Sequence, residues 1–190
     1  MIFHEGDKGN GLYMVEQGKI KIFKLSFEGK EQILHIYGPG HTFGEVPVFE
    51  GKNFPASSMA LEKSVIIFLP RNKFVALITA TPGLGMILLA DLSKRLREFT
   101  IQIENLSLKE VPARLAAYIL TLSEEQKNTK QVVLPISKAQ LSNLIGTTPE
   151  TVSRIFKKMM ASSYIEVQTK TILIKDLEGL LDLSDSGNLS

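Results

Sequence analysis

The stretch from Ile136 to Met159, ISKAQLSNLIGTTPETVSRIFKKM, constrains this chain more than any other. It reads as two short helices joined by a tight turn at Gly146. Ser137 is placed to cap the first helix, and Leu141, Leu144 and Ile145 give that helix one apolar face at helical spacing. Gly146 supplies the positive φ that a sharp turn between helices needs. Thr148 is the expected N-cap of the second helix. Pro149 then takes the first helical position, where no backbone donor is lost. Val152, Ile155, Phe156 and Met159 form a buried stripe, which leaves Glu150, Ser153, Arg154, Lys157 and Lys158 on or near the outer side. A helix of this width, with a carboxylate, a hydroxyl and a guanidinium near its start and lysines behind, has the layout of one that enters a DNA major groove. An ordinary helical hairpin with a solvated polar face would show the same apolar pattern, so the rest of the chain decides between them.

The chain has 190 residues, 44% of them hydrophobic, and a formal net charge of +2. That is enough apolar material for a core in one or two domains. Bulk charge says little about partners, but its distribution says more. From Ser137 to Lys175 there are six Lys or Arg against two acids, a local basic excess inside a near-neutral protein. There are no cysteines, which excludes a disulfide framework and any cysteine-ligated zinc or iron–sulfur site within these residues. No run of about 18 apolar residues is present and the N-terminus has no signal-peptide pattern, so the expectation is a cytoplasmic protein with no membrane partner. The opening, Met1-Ile-Phe-His-Glu-Gly-Asp, enters a strand and turn with nothing before it, and reads as a start inside a domain.

Residues 2 to about 70 are β-rich. Leu12 to Leu25 alternates around Gly18 and reads as a hairpin. Gln32 to Tyr37 follows the turn at Glu28-Gly29, and Ser64 to Leu69 is a strand closed by Pro70. Phe43 to Ser58 reads as a short helix plus loop. Short strands with Gly-rich turns indicate a sandwich or barrel. Residues 71–80 make a short helix and Thr81-Pro82 opens a long one. Within it Leu89, Leu92, Leu96, Phe99, Ile103 and Leu106 are spaced 3, 4, 3, 4, 3, a heptad seam expected to pair with a second copy of the chain. Leu84, Ile87 and Leu88 lie off the seam and are expected to pack on the β-domain. Asn105 to Lys109 reads as a hinge. A helix from Val111 to Leu122, a short strand at 132–136, the two-helix unit, and a hairpin from Tyr164 to Lys175 with its tip near Thr169-Lys170 complete a winged helix. The tail after Leu183 is expected to be frayed. The domains are thus expected at 1–80 (sensor β-barrel, truncated at its start), 81–107 (dimerisation helix and hinge), 108–183 (winged helix-turn-helix) and 184–190 (disordered tail). The fold class is α+β, with a cyclic-nucleotide-binding-like jelly roll first.

The loop Gly38-Pro-Gly-His-Thr-Phe-Gly-Glu45, the heptad helix and Pro149-Glu-Thr-Val-Ser-Arg154 together resemble the Crp/Fnr family of bacterial transcription regulators over nearly the whole chain. The second helix of the pair is similar to the Fnr-like pattern Glu-x-x-Ser-Arg, matched by Glu150, Ser153 and Arg154. The cyclic-AMP receptor pattern has an arginine immediately before that glutamate, where Pro149 stands here. The resemblance implies that Arg154 donates to guanine O6/N7, that Glu150 accepts from cytosine N4, and that Ser153 meets a thymine methyl or a neighbouring base edge. It implies an inverted repeat of TTGA-like half-sites in double-stranded DNA, and phosphate contacts from Ser137, Lys138, Lys157 and Lys170. A homodimer through Leu92, Leu96, Phe99, Ile103 and Leu106, a small effector, and RNA polymerase are the partners it implies.

In family members that bind cyclic nucleotides, an Arg-Ser or Arg-Ala pair follows the Gly-Glu start and neutralises the phosphate. Gly44-Glu45 is kept, but the matching positions are Pro55 and Ala56, followed by Ser57. The expected effector pocket therefore comprises Gly44, Glu45, Pro55, Ala56 and Ser57 and is not expected to take cyclic AMP. Phe54-Pro-Ala-Ser57 and Ile103 to Lys109 look like the Dnr and HcpR regulators of nitrosative stress, a branch associated with haem and nitric oxide. Of possible haem ligands the chain has His4, His35 and His41. A cupin-like enzyme would need a metal cluster, and only His35, His41 and Glu45 are candidates. No Ser-His-Asp, phosphate-binding loop or paired-carboxylate arrangement appears. A non-enzymatic regulator is the expectation, and a cyclic-nucleotide module of a larger signalling protein would have no use for the second helix pair.

Overall fold

A computed structural model describes residues 1–188. They fall into two compact units, Met1–Arg95 and Leu96–Ser190, with the division inside a helix. No single helix among the described residues is long and apolar enough to cross a membrane.

The first unit holds β1 (Gly11–Gln17), β2 (Ile20–Leu25), β3 (Glu31–Tyr37), β4 (Thr42–Phe43), α1 (Val46–Glu50), β5 (Ser57–Ala60), β6 (Val65–Pro70), α2 (Arg71–Ala80) and the start of α3 (Pro82–Leu108). Its strands form two antiparallel three-stranded sheets, ordered β4-β1-β6 and β3-β2-β5. This is the jelly-roll class expected, built as two sheets and not as a closed barrel. Phe3, Val15, Ile20, Tyr37, Phe43 and Phe54 form the core of this unit. The expected hairpin at Gly18 is not one: β1 and β2 belong to different sheets. Gly18 has φ +86°, and a Cβ there would sit 2.2 Å from Ser64 Oγ and 2.8 Å from the Lys63 carbonyl. Only glycine fits, and the chain crosses there from one sheet to the other, bringing Val15 and Ile20, both fully buried, into one core. Alternation reads the inward face of each strand correctly but does not say which strands pair.

The long helix α3 is one element through Leu108, so Asn105–Leu108 of the expected hinge is helical, and Lys109 and Glu110 separate α3 from the helix that follows. Leu88 packs with Leu12, Val48 and Phe74, as expected. Ile87 does not; it is 66% exposed.

The second unit contains α4 (Val111–Glu125), β7 (Gln131–Val133), α5 (Lys138–Ile145), α6 (Pro149–Ala161), β8 (Ile165–Gln168), β9 (Thr171–Ile174) and α7 (Leu177–Ser186). The three strands form one sheet, β7-β9-β8. Leu115, Ile119, Val132, Leu141, Val152, Met159, Ile172 and Leu180 are buried to the last few per cent. The Gln126 side chain closes the free edge of β7, accepting from Val133 N and donating to Val133 O, both at 2.8 Å. The last helix corrects the frayed-tail expectation. Asp176 caps it by accepting from Gly179 N, Leu180 and Leu183 bury its inner face, and it runs to Ser186, ended by Gly187 at φ +72°. Residues 189–190 of the expected tail lie outside the described residues.

Candidate nucleic-acid interface and effector site

The helix pair is built by local chemistry. Ser137 and Gln140 form a reciprocal capping box at the start of α5: Ser137 Oγ accepts from Gln140 N at 3.2 Å, and Ser137 N donates to Gln140 Oε1 at 2.8 Å. Gly146 ends α5 at φ +71°. Thr148 caps α6 by accepting from Thr151 N at 3.3 Å, and Pro149 follows at the first helical position. Val152, Ile155, Phe156 and Met159 bury the inner stripe of α6. With that stripe anchored, the opposite side is fixed as an outward face.

Pro149, Glu150, Ser153, Arg154 and Lys157 line one shallow concavity on that face. Glu150, Arg154 and Lys157 are exposed and Ser153 is half-buried. The Glu150 carboxyl is held below the usual carboxylate range, first by its own backbone N–H and then by the Thr148 hydroxyl. It is therefore an ionised acceptor, beside the Arg154 donor fork and the Lys157 charge. Of the residues expected to hold phosphates, Lys157 lies on this face and Ser137, Lys138 and Lys170 sit on other elements. Ser137 spends its acceptor on the cap, which leaves its hydroxyl proton free to donate. Lys138 rests its ammonium over the Phe156 ring, 5.6 Å from the centroid. Lys170 is exposed at the β8–β9 tip, where Thr169 takes φ +57°.

In the first unit, Gly44 has φ +77°, and a Cβ there would meet Phe54, Tyr13 and Phe3 at 3.2–3.4 Å. Glycine is required. Of the other expected pocket residues, Ala56 and Ser57 are buried. Ser57 Oγ accepts from Glu5 N at 3.0 Å. Pro55 is exposed and its carbonyl receives Lys24 Nζ at 3.1 Å. Glu45 is where the structure adds a residue that the sequence reading missed. Arg95, 7% exposed and the one buried residue of α3 among those described, pairs with Glu45 through Nη1. Its Nη2 reaches Thr42 O at 2.7 Å, Thr42 Oγ1 at 3.1 Å and Asp91 Oδ2 at 2.6 Å. The guanidinium also lies over the Tyr37 ring, 4.8 Å from its centroid. Thr42 Oγ1 donates to Glu45 Oε1 at 3.1 Å, closing the network.

His35, next to Tyr37 (ring centroids 4.2 Å apart), is pushed down to about 4 by burial and then by the Arg95 charge, so its imidazole is neutral at pH 7. His41 Nδ1 lies 3.2 Å from the Gly38 carbonyl, and His4 is exposed. No group of three or more His, Cys, Asp or Glu side chains among the described residues is placed to hold a metal ion, so His35, His41 and Glu45 do not form the cluster an enzyme of the cupin type would need. The seam residues Leu96, Phe99 and Ile103 are 69%, 37% and 64% exposed in the single chain, while Leu92 and Leu106 are half-buried.

Residues 1–81 match the cyclic nucleotide-binding domain family, and residues 113–183 match the Crp-like helix-turn-helix domain family. The cyclic AMP receptor protein of Thermus thermophilus is 31% identical over 175 residues, covering 92% of this chain and 80% of that protein. The anaerobic regulatory protein of Haemophilus influenzae is 29% identical over 188 residues, covering 97% of this chain and 73% of its own length. Among solved structures, FixK2 from Bradyrhizobium japonicum shares the fold at a TM-score of 0.83 and 21% identity, over 96% of this chain and 91% of that one. With a β-sheet ligand-binding domain, a long helix and a winged reading unit in that order, the chain belongs to the Crp/Fnr family of DNA-binding transcription regulators.

Proposed function

We propose that this protein is an effector-responsive homodimer that reads a TTGA-like inverted repeat and has no catalytic role. The observation that carries the reading is the single concave face of α6 lined by Glu150, Ser153, Arg154 and Lys157. Arg154 donates to guanine O6/N7, Glu150 accepts from cytosine N4, and Ser153 meets a thymine methyl or an adjacent base edge. Ser137, Lys138, Lys157 and Lys170 take phosphates, which sets register and not sequence. Pro149 in place of a base-reading arginine supports a reading head of the Fnr type and a place near the Dnr and HcpR branch. The exposed apolar seam of α3 supports pairing of two copies, and two copies demand two half-sites about one helical turn apart. RNA polymerase in the cytoplasm is the partner such a regulator acts through.

The effector proposed is something other than cyclic AMP. The arginine expected at position 55 is a proline, and the guanidinium that does approach Glu45 is already balanced by two carboxylates, Glu45 and Asp91. A cyclic phosphate arriving there meets a local charge that is net negative, and buried charge without a counter-ion is costly. Nitric oxide sensed through haem is one candidate chemistry. His35 then has the neutral imidazole that an iron ligand requires.

A gel shift with the full chain tests the reading head: a TTGA inverted-repeat duplex should bind at least about 100-fold tighter than a scrambled one of equal length, on the order of specific over non-specific binding. Equal affinity for the two removes the proposal. Calorimetry that shows micromolar cyclic AMP binding overturns the effector reading, and a Soret band identical to free haemin after reconstitution removes haem.

A further inference from the structure

Four of the side chains that line the concavity on α6 are polar: Glu150, Ser153, Arg154 and Lys157. The other is Pro149, exposed and at the first helical position, directly after the Thr148 cap. Positions 149 and 153 are four apart, and so are 150 and 154. On a helix surface the two pairs form neighbouring rows, with Pro149 beside Glu150 at the N-terminal end of the face. That end of a recognition helix is the one that meets base edges. Proline has no backbone N–H, and its side chain has no donor or acceptor. A base edge lying against the ring meets carbon alone. Of the groups displayed in the major groove, the thymine C5-methyl is the apolar one. A donor or acceptor placed under the ring would lose its water with nothing in return, so the ring selects against such an edge. The ring also has little freedom to lose on docking, because φ is locked and burying a proline side chain costs almost no rotamer entropy. Ser153 is half-buried and presents less of itself to the groove than the exposed Pro149 does.

We infer that Pro149 is itself a specificity-determining residue: its ring packs on the C5-methyl of one thymine in each half-site, and Ser153 is left to the polar edge of a neighbouring base. The inference rests on α6 as the reading helix, proposed above. It separates two roles for one proline. A rigid helix start supports binding to every sequence alike. An apolar contact supports only the preference for a methyl group at one base pair.

The test is competition binding by fluorescence anisotropy with the full chain. The probes are a TTGA inverted-repeat duplex, a scrambled duplex, and a set in which each thymine of the half-site is replaced in turn by deoxyuridine, which removes the methyl and keeps the pairing and polar edges. Wild type, Pro149→Ser and Pro149→Val are compared, each protein by its own ratio of thymine to deoxyuridine affinity. In wild type, deoxyuridine at one thymine position should weaken binding roughly fourfold, the worth of one methyl group removed from water. The same change in both half-sites should weaken it about 15-fold. Pro149→Ser, which puts a polar group there, should show no penalty at that position. Pro149→Val, which keeps apolar surface without the locked φ, should retain it. A penalty that persists in Pro149→Ser overturns the inference and gives the methyl to another side chain. A penalty lost in Pro149→Val as well marks a rigid helix start and overturns it too, as does a wild type indifferent to deoxyuridine at every position. A wild type that does not distinguish the TTGA duplex from the scrambled one removes the reading head and the role of Pro149 with it. Any of the other failures beside a clear TTGA preference removes only the role of Pro149.

Discussion

Arg95 and Glu45 stand 50 residues apart in the chain and share an ion pair whose side chains are only 8% and 14% exposed. The pair ties the long helix to the segment that opens α1, at the start of the expected effector pocket. Breaking such a buried pair from one side leaves a charge without its partner, and Arg95→Ala would leave two, Glu45 and Asp91. A loss of about 3 kcal/mol in the stability of the β-rich unit is expected. Hydrogen exchange at the β4 and α1 amides in increasing urea measures that unit alone, which matters because a two-unit chain need not unfold in one step. The double change Arg95→Met with Glu45→Gln should lose much less, since it removes both buried charges together.

Arg95 also shows where sequence reading stops. It sits in Lys94-Arg95-Leu96-Arg97, one cation among three on a helix, and nothing local marks it as buried. Its partners Thr42 and Glu45 are set by the fold of a distant loop. The helix pair was legible for the opposite reason. The caps at Ser137 and Thr148, the turn at Gly146 and the apolar stripe of α6 are all decided within a few residues of themselves. The Gly18 corner reads as a hairpin because strand alternation carries no record of the partner strand. The last helix carries its own local signals, a cap at Asp176 and helical spacing at Leu180 and Leu183, with Gly179 inside its first turn. A Cβ at Gly179 would in fact lie 2.8 Å from the Tyr164 ring, so that glycine serves close packing and does not mark a loop.

Arg154 and Lys157 should separate two kinds of DNA contact. Arg154→Ala is expected to cost about 1–3 kcal/mol of specific binding and to relax preference at the base it reads. Lys157→Ala should weaken all duplexes nearly equally and lower the slope of log affinity against log salt by about one, the signature of one lost phosphate contact. Binding isotherms at four salt concentrations with specific and scrambled duplexes distinguish the two. An Arg154→Ala protein with unchanged affinity and unchanged preference would remove the central assignment.

The α3 seam makes a prediction about assembly. Leu96 and Ile103 are 69% and 64% exposed in the single chain and lie seven residues apart, on one face of the helix. A charge at either position would have to be desolvated in a paired helix. Leu96→Asp should therefore shift the protein from dimer to monomer in sedimentation at micromolar concentration, and should weaken binding to the inverted repeat far more than binding to a lone half-site. Arg97→Ala, exposed and off the seam, is the control and should remain dimeric. A dimeric Leu96→Asp protein would place the contact elsewhere.

His35 predicts how stability depends on pH. Its folded value is pushed down to about 4, against about 6.5 for a free side chain, first by burial and then by the Arg95 charge. Between those values the unfolded chain binds a proton that the folded chain does not, so stability rises with pH across the window. The contribution is fully present above about pH 6.5 and is lost as pH falls through that value towards 4. The full difference corresponds to about 3 kcal/mol. His35→Gln cannot take up a proton, so its stability should change less between about pH 7 and about pH 4.5 than that of wild type, the two profiles converging at the acid end. Urea midpoints of the β-rich unit at half-unit pH steps measure this. Parallel profiles for the two proteins would show that His35 titrates alike in the folded and unfolded chain, and would contradict the burial of His35 near the Arg95 charge.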